Sequence, residues 1–288
     1  MLLNNRIIWL DNTTPKDLSD ILNNYKSGTQ ALAIVAAEDK IFIGGDLPFN
    51  HRFFHFSTAN TANAKISEIA VWDGDEWKPC VDILDLTLDN TGLKTFSKSG
   101  HIMWTPDKNH SWMREDTKDT QGGSHFIDGL GNNGVVIYDM YWVRISFTAD
   151  LTATLKYVGH KFSSEEDLRP IYPELVLANT KVQFEAGKTD WIDQEFEAAE
   201  EIVRDLRKAN IIKTPDQILN WQSFQRASAF KCAEIIYRAF GDDYEDNRKT
   251  ARDYYWEAFK VEVANIDKNK NARLDPLERV SRQGFLTR

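Results

Sequence analysis

The sequence has little of what would place it in a membrane, outside the cell or on nucleic acid. Its only cysteines, Cys80 and Cys232, are too few for a disulfide framework or a four-thiolate zinc site. No apolar run approaches the roughly 18 residues that a membrane helix needs. The 35 basic side chains are outnumbered by 44 acidic ones, so the basic excess of a general nucleic-acid binder is missing. Because Met1–Leu10 lacks the apolar core and cleavage site of a secretory signal, we expect a protein made in a reducing cytoplasm.

Motifs of common enzyme classes are also missing. The sequence contains no nucleophile elbow, no phosphate-binding P-loop and no dinucleotide fingerprint. Acidic pairs such as Asp73 and Asp75 could serve a glycoside hydrolase, but an acidic chain contains such pairs by chance. We therefore expect no enzyme activity. A hydrolase is a weaker hypothesis than either a structural protein or a carbohydrate-binding module.

The residues that are present predict a folded chain of two kinds of structure. Hydrophobic residues make up 42% and charged residues 27% of 288 positions, enough to bury two cores. Up to residue 162, short apolar runs alternate with glycine- and aspartate-rich turns, which is typical of a β-sandwich. Among these runs, Ile66–Trp72 and Cys80–Thr87 are predicted strands. The predicted fold is α+β, an antiparallel β-sandwich followed by an α-helical bundle. Its predicted segments are a strand–helix segment 1–30, the sandwich 31–162, a linker 163–189, a helical domain 190–266, and a polar turn with a C-terminal arm 267–288.

Capping signals predict where the helices begin. At Thr14-Pro15 a threonine cap precedes a proline at the first helical position, which predicts a helix that ends at Gly28. Asp190 is expected to cap an amphipathic helix, and Thr214–Gln217 is a capping box with proline. Two further long helices are predicted, at about 222–240 and 246–263.

The most specific local motif is a possible calcium loop between Asp267 and Glu278. Oxygen-bearing side chains stand at positions 1, 3, 5, 9 and 12 of this loop, as Ca²⁺ requires. Ala272 occupies the sixth position, where the turn favours glycine. The alternative interpretation is an Asn/Asp-rich turn that binds no ion. The candidate ligands are Asp267, Asn269, Asn271, Asp275 and Glu278; no other cofactor is expected.

Two further features predict contacts with partners. Tryptophans of the sandwich could stack on sugar rings if exposed, although large aromatic rings more often fill a core. The residues concerned are Trp72, Trp77, Trp104 and Trp112. The last ten residues, 279–288, contain three arginines and no acid, which predicts either a free basic arm or a frayed terminus.

The helical half resembles the head-to-tail adaptor (connector) proteins of tailed bacteriophages. The resembling pattern covers 190–288: an amphipathic helix ending in Asp205-Leu206-Arg207, a helix start after Thr214-Pro215, an alanine-rich helix around 227–233, and Tyr254-Tyr255 before the polar turn. The front half is similar to β-sandwich domains of phage virion proteins. The segments that carry this second similarity are 71–77, 98–106 and 141–146.

The resemblance implies a structural virion protein at the neck, made in the host cytoplasm. Such adaptors form rings of twelve subunits beneath the portal protein and join it to tail or nozzle proteins. DNA would pass through the ring without specific binding, and no membrane would be involved. The alternative is a carbohydrate- or receptor-binding sandwich of a phage tail or baseplate. The implied portal contacts are Arg279, Arg282, Phe285 and Arg288.

Overall fold

A computed structural model describes residues 5–12, 14–116, 139–261, 263–273 and 279–281. The chain divides into two compact units, each described here by itself. The first contains the residues up to Gly159 together with Asn269–Arg273, and the second begins at His160. The first consists of two antiparallel sheets and the second mainly of helices, so the predicted α+β fold class is confirmed.

Two sheets form the first unit. Their strands are β1 (Asn5–Asp11), β2 (Thr14–Asp17), β3 (Gln30–Ile34), β4 (Lys40–Gly45), β5 (His51–Thr58), β6 (Ile66–Trp72), β7 (Trp77–Pro79), β8 (Val81–Asp85), β9 (Gly100–Thr105), β10 (Tyr141–Phe147) and β11 (Leu151–Gly159). One sheet has the order β2-β1-β4-β10-β6-β7 and the other the order β3-β11-β5-β9-β8. Alternate residues point to opposite faces, so one face of each sheet can enter a shared core.

The core between the sheets is built from those alternate positions. Ile43, Ile69 and Val143 come from neighbouring strands of the first sheet and are fully buried. Phe54 and Ile102 of the second sheet belong to the same buried cluster. A separate buried cluster lies on the other face of the six-stranded sheet, where Ile8 stands opposite Phe42. The six-stranded sheet is therefore apolar on both of its faces.

Helices dominate the second unit. The helices are α1 (Ser19–Leu22, in the first unit), α2 (Glu165–Leu168), α3 (Ala178–Phe184), α4 (Ile192–Lys208), α5 (Gln225–Phe240) and α6 (Glu245–Val261), with 3₁₀ turns at Pro173–Val176, Pro215–Gln217, Trp221–Phe224 and Asp242–Tyr244. Seven consecutive residues of α5, from Ala227 to Ala233, are buried, which is typical of a central helix. Gly241 at φ 84° ends α5, and α6 follows in a tight hairpin.

The predicted helix from Thr14 to Gly28 is wrong for its first half. Thr14–Asp17 instead forms the edge strand β2, in which Pro15 stands opposite Leu10 of β1. Proline is compatible with an edge strand because its missing N–H is not needed there. Helix is limited to Ser19–Leu22, where the Ser19 hydroxyl accepts the Ile7 N–H at 3.0 Å. Pairing with β1 therefore overrides the local capping signal.

The segment interpreted as a linker, 163–189, is not simply extended. It contains α2, α3 and a 3₁₀ turn, and its Leu168 and Leu175 are buried in the helical core. Ser164 and Asp167 form a capping box at the start of α2, which is not among the features predicted from the sequence. The segment thus belongs to the second unit's core. The capping box predicted at Thr214–Gln217 is not formed, because the Thr214 side chain accepts no hydrogen bond from the following turn.

Candidate interaction surfaces

The outer strand of the five-stranded sheet carries a row of exposed aliphatic side chains. Val81, Ile83, Leu84 and Leu86 lie in or directly after β8, and each is 38–48% exposed. Together they expose on the order of 300 Å² of apolar surface, a size that marks interaction sites on many proteins. We call these four residues the β8 rim.

The β8 rim is held firmly by its neighbours. Leu86 donates its N–H to the His101 carbonyl at 2.9 Å, so the chain stays paired to β9 beyond the last strand residue. The Asp85 carboxylate accepts the N–H and hydroxyl of Thr87 at 2.8 and 2.6 Å, and also the hydroxyl of Thr95. Both threonines are fully buried. The exposed aliphatic residues thus stand on a rigid support.

The opposite edge of the same sheet is also apolar. In β3, Ala31 and Ala33 are exposed, and Val35 directly after it is 44% exposed. Ala33 stands opposite Thr152 of β11, while Leu32 and Ile34 face the core. The outward face of β3 therefore carries small apolar side chains where a solvated strand would usually be polar.

The edges of the six-stranded sheet are protected in a different way. Its outer strands β2 and β7 are four and three residues long. Each contains a proline, Pro15 and Pro79, which cannot donate to a further strand. Edge protection of this kind is absent from β3 and β8, whose residues include no proline. Among the described strands, none pairs with the outer side of β3 or of β8, so the five-stranded sheet has two unprotected edges there.

Charged side chains are buried inside the helical unit. Lys161 Nζ lies 2.6 Å from Glu195 Oε2, and the two residues are 8% and 3% exposed. Burial raises the pKa of Glu195, and the Lys161 ammonium partly opposes this shift. Lys231 of α5 pairs with Glu234 at 2.8 Å and Glu201 at 3.3 Å. Removing one member of such a pair would leave the other charge buried without its partner, which is destabilising.

Neither cysteine thiol is suited to nucleophilic chemistry. Burial raises the pKa of Cys80 to about 12 and that of Cys232 well above its ordinary value. Both thiols are free and buried. They are therefore protonated at neutral pH and belong to the packing of the core.

The predicted C-terminal arm does not begin at Arg279. Val263–Asn265 forms β12 and Arg279–Ser281 forms β13, and the two strands pair antiparallel. The helix predicted to reach residue 263 accordingly ends at Val261. The backbone at Arg279 is held in this small sheet, so the expectation of a free arm is wrong for residues 279–281. The other implied portal contacts, Arg282, Phe285 and Arg288, lie outside the described residues.

The polar turn before the arm adopts the backbone that the calcium motif requires at one position. Ala272 has φ 55°, the left-handed conformation for which glycine is favoured. Asn269 Oδ1 accepts the Asn271 N–H at 3.2 Å, and Asn271 Oδ1 accepts the Arg273 N–H at 2.9 Å. These contacts also suit the alternative, an Asn-rich turn. Asp267 is buried, whereas Asp275 and Glu278 lie outside the described residues, so the calcium site stays a prediction.

Two of the four candidate sugar-stacking tryptophans are buried. Trp72 and Trp104 are each 1% exposed, so neither has a ring face available to a sugar, and that part of the expectation is wrong. Trp77 and Trp112 are partly exposed. Trp77 contacts the ring of Trp72 at 5.4 Å, and Trp112 contacts Phe49 at 5.3 Å. The four rings therefore form no shared flat platform.

Substitution of Trp112 tests whether this ring is structural. Its T-shaped contact with Tyr141 and its packing on Phe49 lead us to expect that Trp112→Ala lowers the free energy of unfolding by about 2 kcal/mol. Urea unfolding followed by far-UV circular dichroism measures this. Val35→Ala, at a 44% exposed position, serves as the control and should change stability by less than about 0.5 kcal/mol. Equal effects of the two substitutions would contradict a structural role for Trp112.

The β8 rim is the surface that sequence reasoning missed. The run 80–87 was predicted as a strand, but nothing in it indicated which strand would end up at an edge. One signal was available, because Val81, Ile83, Leu84 and Leu86 break the strict alternation of a half-buried strand. Apolar residues on both faces of a strand indicate either a fully buried strand or an edge strand without a partner. Because β8 lies at the end of the sheet order, it is an edge strand.

The described residues show no metal-binding cluster and no membrane-spanning helix. Within the described ranges, no three or more His, Cys, Asp or Glu side chains are grouped so that they could hold a metal ion. No described helix has both the length and the apolar character needed to cross a bilayer. No family model, no curated protein and no solved structure matches the chain.

Proposed function

We propose that this protein is a ring-forming head-to-tail adaptor of a tailed bacteriophage, a structural subunit of the virion neck that docks on the portal and joins it to the tail. The observation that carries the proposal is the placement of the helices. α4 ends just after Asp205-Leu206-Arg207, a turn begins at Pro215, and α5 contains the alanine-rich stretch, as the resemblance to adaptors implies.

The build of the helical unit supports a role in assembly. α5 is buried between its neighbours, while α4 and α6 each keep one charged face in solvent. Tyr254 on α6 is 47% exposed and Leu177 before α3 is 53% exposed. Tyrosine is among the side chains enriched in surfaces that bind protein. A closed ring repeats one heterologous contact until it closes, so that modest interfaces suffice, and the helical surface remains available to the neighbouring virion proteins.

The charge of the subunit is compatible with DNA passage. The formal net charge is −9, and a negative channel does not retain the phosphates of passing DNA. The arm that would reach the portal is shorter than the sequence indicated. Because Ser281 is still paired with β12, the proposed docking peptide is residues 282–288, with Arg282, Phe285 and Arg288 as its contacts.

The assembly state tests this proposal. Purified full-length protein is examined by mass photometry and negative-stain microscopy, alone and mixed with the portal protein of the same phage. We expect closed rings, either free or formed on the portal, and binding to the portal that is lost when residues 282–288 are deleted. A protein that stays monomeric in both samples and ignores the portal would overturn the proposal. Glycan binding without ring formation would favour the alternative, a carbohydrate-binding module.

A further inference from the structure

We infer that neighbouring copies of this chain join through the open edges of the five-stranded sheet, with the β8 rim of one copy against β3 of the next. This inference rests on the proposed ring and names the surface that closes it. The occupant of the β8 rim is thus a second copy of the same chain. The argument rests on the sheet order, on the size of the exposed surface and on which side chains share a face.

The sheet order makes the two edges fit head to tail. Every described neighbour pair in the order β3-β11-β5-β9-β8 is antiparallel, so β3 and β8 run in the same direction. If the next copy continues the sheet, its β3 therefore lies parallel to β8. Such a contact joins two different surfaces, and repeated rotation closes it into a ring.

Side chains on the two edges lie on the same face of the sheet. Leu84 stands opposite Met103, whose neighbour Ile102 is a core residue, so Leu84 points away from the core. Ala33 points the same way, because its neighbour Leu32 is in the core. At an edge-to-edge joint the small alanines of β3 leave room for the larger leucines of β8.

The exposed area favours a ring over a two-fold dimer. A joint that covers roughly 300 Å² of apolar side chain per copy falls below the roughly 800 Å² per partner of a standard stable interface. An isolated β8–β8 dimer of that size would be weak, whereas each ring subunit uses both of its edges. The bulge at the start of β8, where Asp82 has φ 51°, limits pairing to the part of the strand that follows it.

Cross-linking across the two edges tests the inference. Ala33→Cys and Leu84→Cys are introduced into one chain, which is treated with a short bismaleimide under conditions that give assemblies. We expect a ladder of covalent multimers from this double variant. Each single variant should show no covalent cross-link. A mixture of the two single variants should give covalent dimers only. The unmodified chain is the background control, because Cys80 and Cys232 are buried.

A matched pair supplies the control for position. Ser57 is exposed on β5, two strands from either edge of the sheet, so the pair Ser57→Cys with Leu84→Cys should give no ladder. Rings without a ladder from the Ala33–Leu84 pair would overturn this inference and leave the adaptor proposal standing. Dimers from Leu84→Cys alone would also overturn it, in favour of two-fold pairing. Absence of both rings and ladder would remove both proposals.

A charge on the rim gives a second measurement that needs no cross-linker. Leu84→Lys is expected to lower the fraction of protein in rings at least tenfold, because pairing at this edge would remove water from the lysine ammonium group. Met113→Lys, at a 51% exposed position beside β6 of the other sheet, is the matched control and should leave the fraction unchanged. Unchanged rings in Leu84→Lys would contradict the inference.

Discussion

Lowering the pH from 7 to 5 is expected to remove about 2 kcal/mol from the free energy of unfolding through one residue, His51. This histidine lies at the start of β5 and is 1% exposed. Burial, and after it the neighbouring Arg52 guanidinium, lowers the pKa of His51 to about 3. The ring Nδ1 lies 2.8 Å from the Asn50 side-chain oxygen, so the neutral ring is well accommodated.

The direction of the effect follows from which state binds the proton. In the unfolded chain His51 titrates near the ordinary histidine pKa of 6.5, whereas in the folded chain its pKa is about 3 and the ring stays neutral above that pH. Between these values the unfolded state binds more protons, so stability is full above pH 6.5 and falls as the pH is lowered. The slope is about 1.4 kcal/mol per pH unit within the window.

Urea unfolding at pH 7, 6 and 5 measures this slope, with tryptophan fluorescence as the signal. His51→Gln keeps a side chain that can bond to Asn50 but cannot titrate, so its stability should depend less on pH by about 2 kcal/mol over the same range. His55→Gln, on the same strand with a half-buried ring, is the matched control and should retain the His51 contribution. If His51→Gln and the parent lose stability equally between pH 7 and 5, the assignment to His51 is wrong.

Much of the fold could be predicted because local patterns and the final structure agree. The strand predicted at Ile66–Trp72 has those same bounds. Asp190 lies one position before the N-cap residue Trp191, and its carboxylate accepts the Ile192 N–H at 3.1 Å, so the predicted start of α4 is off by one residue. The predicted end of α5 at Gly241 is also confirmed. In each case the residues that decide the structure lie within a few positions of one another, so the sequence contains the whole signal.

The predictions that failed depend on pairing between distant segments. Thr14-Pro15 is a sound helix start, yet β1 recruits it as an edge strand. Arg279–Ser281 pairs with Val263–Asn265, which lies on the other side of the polar turn. The β8 rim is exposed because β8 ends the sheet order, a fact of topology that no window of the sequence reports. Burial of Trp72 and Trp104 likewise follows from packing against strands far along the chain.

Buried lysines are a further feature that sequence patterns do not reveal. Lys161, Lys181 and Lys231 are each no more than 8% exposed, although lysine is almost always a surface residue. Lys181 Nζ meets Glu165 at 2.7 Å, and Lys231 meets two glutamates on α4 and α5. Glu234 lies one helical turn from Lys231, but the other three partners lie 16 to 34 residues away, and only the packed unit brings them into reach.

The strongest expected effect on stability comes from breaking such a pair. Lys161→Ala should lower the free energy of unfolding of the helical unit by about 3–5 kcal/mol at pH 7, because it leaves the Glu195 carboxylate buried without its cation. Urea unfolding followed by circular dichroism at 222 nm measures the helices. Replacing both partners, as Lys161→Met with Glu195→Leu, should restore most of the loss, since no uncompensated charge remains.

The pH dependence of the Lys161→Ala variant separates a lost charge from lost packing. The pKa of Glu195 is already raised by burial, and without Lys161 it should rise further. A carboxyl whose folded pKa is raised binds its proton more readily in the folded state, so the variant should regain stability as the pH falls toward that pKa. Arg169→Ala breaks an exposed pair with Glu166 instead and should change little at any pH. A Lys161→Ala deficit that stays constant between pH 7 and 5 would show that packing of the lysine stem, and not its charge, holds this helix in place.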